Sequence, residues 1–159
     1  MLKSIFILLS FFLFSLSPLM AHCQIPCGIF EDNLRFDLME EHFVTIEKSM
    51  KKIVELSEAK TLDYNQIVRW VMNKEQHADE LSHIITYYFM AQRIKVVELK
   101  DPNFVLYSQQ ITVLHKMLVA AMKCKQSTDA SLIATLRALH GELKKLYFGD
   151  KKQDHPHKH

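Results

Sequence analysis

The chain has 159 residues, 20 Lys and Arg against 18 Asp and Glu, and a net charge of +2. Charge this close to neutral gives no basic footprint for nucleic acid, and three Cys are too few for a disulfide framework. Only three Gly and four Pro interrupt a sequence rich in Leu, Lys, Glu, Met and Ala, which predicts one compact all-α domain.

Lys3 precedes an apolar run from about Ile5 to Leu16, and Ser17-Pro18-Leu19-Met20-Ala21 follows. Residues 1–21 therefore read as a signal peptide, with an apolar run short for a membrane span. The expectation is an exported protein, periplasmic or secreted, with no membrane association after cleavage. Leu19 is less favourable than a small residue at the third position before a cut after Ala21. His22 stands where acylation of Cys23 would need a small residue, which argues against a lipid anchor.

A cut after Ala21 starts the mature chain at His22-Cys23-Gln24-Ile25-Pro26-Cys27-Gly28-Ile29-Phe30. His22 then offers an α-amine and an imidazole, and Cys23 and Cys27 add two sulfurs. An α-amine titrates at about 7.7–8.0 and a thiol at about 8.5, so a metal displaces both protons near neutral pH. The Cys23 amide nitrogen lies between amine and thiolate, where it closes small chelate rings. Thiolates combined with such nitrogens suit square-planar Ni(II) or Cu(II) better than tetrahedral Zn(II). Pro26 fixes φ before Cys27, and Gly28 tolerates the turn after it. Taken alone, two Cys four apart also fit a disulfide, a zinc pair or unrelated thiols.

The remaining chain predicts four helices. Phe36, Met39, Phe43, Ile46, Met50 and Ile53 form one apolar seam on a helix from about residue 31 to Glu58. Asp63 and Gln66 resemble a capping box for a second helix, Tyr64 to about Ile94, with Ile67, Val71, Ala78, Leu81, Ile85 and Tyr88 inward. Asp101-Pro102 opens a third, with Leu106, Ile111, Leu114, Leu118 and Met122 as its apolar set. Gln126 to Asp129 turn into a fourth, about Ala130 to Phe148, which contains Gly141. Short connections make residues 31–148 an antiparallel up-and-down four-helix bundle. Cys124 and the eight Met read as packing residues, and His42, His83, His115 and His140 as surface or packed side chains. Residues 149–159 are a polar tail whose His155, His157 and His159 fit either loose metal capture or an end without a role.

The run HCQIPCGIF resembles the nickel-hook motif of nickel superoxide dismutases, H-C-x-x-P-C-G-x-Y at the mature N-terminus. His22, Cys23, Pro26, Cys27 and Gly28 match it, and Phe30 stands where tyrosine is usual. Looser similarity continues in Lys74-Glu75-Gln76-His77-Ala78. The resemblance implies one nickel ion per subunit. The Cys23 and Cys27 thiolates, the His22 amine and the Cys23 amide would form the Ni(II) plane, with the His22 imidazole added axially in Ni(III). Thiolate and amide donors push electron density onto the metal and make the higher state accessible. One superoxide anion would be oxidised to O2, and the next reduced with two protons to hydrogen peroxide.

The resemblance also implies a carboxylate on the first helix and an arginine on the second to orient the imidazole. His77 occupies the arginine position, and Asp37, or else Glu40 or Glu41, the carboxylate position. Phe30 lacks the hydroxyl that would bind water at the substrate entrance, and a homohexamer is expected. Two other readings stay open on the residues. One is an exported nickel- or copper-binding carrier or sensor without turnover; the other is a structural protein with a Cys23–Cys27 disulfide.

Overall fold

The computed structural model describes residues 31–149; the expected signal peptide, the hook and the tail beyond Gly149 lie outside them. Within these residues the chain forms α1 (Asp32–Ser57), α2 (Tyr64–His83, continuing as a π-helix over Ile84–Arg93), α3 (Phe104–Gln126) and α4 (Ser131–Phe148). The described residues contain no strand, and none of their helices is long and apolar enough to cross a membrane.

Pairs of residues fix the helix directions. Ser49 meets Asn73, while Asp32 meets Arg93, so α1 and α2 run antiparallel. Asp32 also meets Tyr147, and Glu47 meets Arg137, which sets α4 antiparallel to α1. Gln110 donates to the Leu146 carbonyl across α3 and α4. The four helices therefore close into an up-and-down bundle.

Local chemistry explains the helix ends. The Asp63 carboxylate accepts from the Gln66 N–H at 3.1 Å, capping α2 as its sequence predicts. Pro102 precedes α3, and Gly149 ends α4 at φ 64°, a left-handed value that favours glycine. At the end of α2, the Ile94 N–H reaches back to the Phe89 carbonyl at 2.9 Å, a five-residue step. Ser82 and Thr86 donate their hydroxyls to carbonyls four residues earlier, an arrangement that often bends a helix.

Phe36, Met39, Phe43, Ile46 and Met50 are fully buried, as the seam predicts. Phe36 lies among Phe89, His140, Tyr147 and Phe148, with ring centroids 4.9–5.7 Å away. Ala78, Leu81, Ile85 and Tyr88 are buried on α2, and Val113, Leu114, Met117, Ala120, Ala121 and Cys124 on α3. The sequence pattern misassigns three residues to the core. Val71, Leu106 and Met122 are exposed, and Ile53, Ile67, Ile111 and Leu118 are half-buried. On α3 apolar residues go nearly all the way round, so periodicity selects no single face. The small side chains of Ala120, Ala121 and Cys124 decide it by allowing close helix approach.

Candidate functional site

A polar cluster holds the first turn of α1, which follows the N-terminal run closely in sequence. Asp32 Oδ1 accepts from the Tyr88 hydroxyl at 2.5 Å and from Arg93 Nε at 2.7 Å; Oδ2 accepts from the Tyr147 hydroxyl at 3.0 Å. Tyr88 and Arg93 are five apart, and the π-helical register stacks them on one side of α2. Burial and the facing Asp32 carboxylate push the Tyr88 and Tyr147 hydroxyls above their ordinary pKa. Three helices thus converge two residues after Phe30.

The Lys74–Ala78 run does two jobs. Lys74 is buried and its Nζ donates to the carbonyls of Cys124 (2.7 Å), Lys125 and Ser127 (3.3 Å). It caps the carbonyl end of α3, where a cation also meets the negative end of the helix dipole. Glu75 lies 3.5 Å from both Lys74 and Lys125. Ala78 packs in the core.

His77 faces α1. Its Nδ1 is 2.9 Å from Nδ1 of His42, and Glu80 Oε2 is 3.8 Å from His77 and 3.7 Å from His42. Gln76 Nε2 donates to the other oxygen of Glu80 at 2.8 Å. Burial, then the neighbouring His77, lowers the pKa of His42.

Among the residues expected around the imidazole, Asp37 and His77 share no hydrogen bond or ion pair with each other. Asp37 is exposed beside Glu40, Glu41, Val44 and Thr45 on an open depression. Glu40 instead accepts from Arg137 at 2.7 Å, and Arg137 also reaches Glu47 at 2.9 Å. His22, Cys23, Pro26, Cys27, Gly28 and Phe30 lie outside the described residues.

Sequence reasoning missed His42 and Asp32. The signal for His42 was available. It lies about as many residues before the α1–α2 connection as His77 and Glu80 lie after it, and an antiparallel hairpin makes such residues neighbours.

The family model of nickel-containing superoxide dismutase matches residues 17–151. The chain belongs to that family. It is a nickel-dependent oxidoreductase that takes superoxide as its substrate. No curated protein and no solved structure matches the chain. The described part of this dismutase bears on which sulfurs serve the nickel. Cys124 is fully buried, and burial pushes its thiol up to about 11, against the opposing pull of Lys74. It therefore stays a thiol packed in the core, inert as the sequence suggests. The other two Cys of the chain, Cys23 and Cys27, belong to the N-terminal run, and its sulfur and nitrogen donors fit nickel.

Proposed function

We propose that this dismutase holds its nickel with His22, Cys23 and Cys27, in a hook that cleavage after Ala21 completes. The observation that carries the reading is the spacing of His22, Cys23, Pro26, Cys27 and Gly28 in a chain whose remaining Cys124 is sealed in the core. Nickel, when bound, supplies the two oxidation states between which the electron of superoxide passes. The thiolates and the amide of Cys23 donate the electron density that brings the higher state within reach. Pro26 and Gly28 shape the hook, and Phe30 borders the substrate approach without offering a hydroxyl. The Asp32 cluster ties the first turn of α1, two residues after Phe30, to α2 and α4.

Asp37, open to solvent on α1, is the carboxylate this reading gives to the His22 imidazole. Asp37→Asn should keep nickel yet lower activity about tenfold or more; unchanged turnover would remove Asp37 from the role. Cleavage also makes the protein an exported one, periplasmic or secreted. Edman sequencing of the exported chain should begin at His22, and a start elsewhere would end the reading.

Association into a homo-oligomer, six copies by the family resemblance, is supported by Tyr64, Val68, Val71 and Met72. These are exposed apolar residues repeating along one face of α2. Light scattering should give a multiple of the chain mass, and a monomer would contradict it. The hook itself is tested with Cys23→Ser and Cys27→Ser. Each variant should fold but lose the thiolate-to-nickel charge-transfer absorption of the nickel-loaded chain, and bands left unchanged in both variants would show that these thiolates are not ligands of the nickel.

A further inference from the structure

Outside the hook, one cluster of side chains has the composition and spacing of a metal site. Among the described residues, His42 from α1 and His77 and Glu80 from α2 turn one donor atom each toward a common point. Their separations are 2.9, 3.7 and 3.8 Å. A point equidistant from the three lies about 2.0 Å from each, which is the usual bond length from zinc to imidazole nitrogen or carboxylate oxygen. We propose that His42, His77 and Glu80 form a second metal site in this protein, which takes a divalent first-row transition ion between α1 and α2.

Four observations support it. The donors come from facing helices, two of them at i and i+3, which is how bundles build metal sites. His42 and His77 are mostly buried, with 12% and 25% of their side chains exposed, so packing holds the rings in place. Gln76 fixes one oxygen of Glu80 and leaves the other aimed at the histidines, as outer partners of ligating carboxylates do. The Glu80 side remains 45% exposed, which gives an ion a way in and leaves room for water to complete its coordination.

Without a metal, the 2.9 Å contact is an imidazole–imidazole hydrogen bond, with one Nδ1–H donating to the other ring. Binding turns both Nδ1 lone pairs to the ion. The shared hydrogen is replaced by one on the outer nitrogen of the same ring, so no net proton is released. The site has no sulfur, so it is unsuited to cycling nickel at the potential of superoxide. Its role is to tie α1 to α2, and it stands whether or not the hook reading does.

The test uses the His22-start chain carrying Cys23→Ser and Cys27→Ser, with its tail intact. Titration calorimetry with Zn(II) should give one ion per chain at micromolar affinity or tighter. Co(II) should show visible bands of a nitrogen–oxygen site without thiolate charge transfer. Adding Glu80→Gln, a change at a half-exposed side chain, should weaken Zn(II) about tenfold or more. His77→Asn should do the same, with circular dichroism checking its fold. Failure to bind Zn(II) would overturn the proposal. So would binding that Glu80→Gln leaves unchanged, because the ion would then sit elsewhere, as on the tail histidines.

Discussion

Replacing Asp32 by alanine should weaken the whole bundle, although Asp32 is only the first residue of its helix. Its carboxylate takes hydrogen bonds from Tyr88, Arg93 and Tyr147, from two other helices. A hydrogen bond to a charged group contributes about 1.5–3 kcal/mol. Asp32 and Arg93 keep about a quarter of their side chains in water, so the ion pair belongs at the low end of its range. Loss of the favourable charge at the N-terminus of α1 adds about 0.3–1 kcal/mol. With all three bonds at the low end, about 1.5 kcal/mol each, the expected destabilisation is about 5 kcal/mol, which lowers the urea midpoint by about 2.5 M at a slope of about 2 kcal/mol/M. Tyr147→Phe removes one of the three bonds and should cost about 1.5 kcal/mol. Urea unfolding of both variants, followed by circular dichroism, decides the matter. If Asp32→Ala costs no more than Tyr147→Phe, the carboxylate is not the node that joins the three helices.

Three further outcomes follow from the fold. Lys74→Met leaves the carbonyls at the end of α3 without their buried cation and should cost about 2–4 kcal/mol by urea unfolding; a neutral result would show that these carbonyls find water instead. A Cβ at Gly141 meets nothing within 4 Å, so Gly141→Ala should stabilise α4 by about 0.5–1 kcal/mol, and a lower melting temperature would contradict the open space. Burial lowers the pKa of His42 and His140 from the usual 6.5, although the Phe36 carbonyl and Glu40 oppose the shift at His140 and Glu80 and Glu41 oppose it at His42. The unfolded chain therefore takes up these protons first as pH falls. Stability should be complete above about pH 6.5 and decline from there toward the lowered folded values, with His140→Gln flattening the slope. Equal urea midpoints for the nickel-free chain at about pH 7.5 and pH 5.5 would refute it.

How much of this was legible depended on which physical signal each residue carried. The α1 seam is amphipathic enough that Phe36 through Met50 could be assigned inward at once, and Asp63 announced the start of α2 through its cap. The faces of α3 could not be read, because a helix apolar on most sides leaves the choice to small residues and to partners that exist only after folding. The π-helical end of α2 had no local signature either. Its register serves the contact of Tyr88 and Arg93 with Asp32, which is distant in sequence. The hook motif lay open in the order of residues, since its ligands are neighbours in the chain. The His42–His77–Glu80 cluster spans two helices and required the register of the hairpin between them.

The most direct test of the nickel hook is the dismutase activity of two nickel-loaded chains, one starting at His22 and one with a single alanine ahead of it. The added residue turns the His22 amine into an amide and leaves every other ligand in place. Activity in the first and loss of it in the second is the predicted result; equal activity in both would contradict the hook.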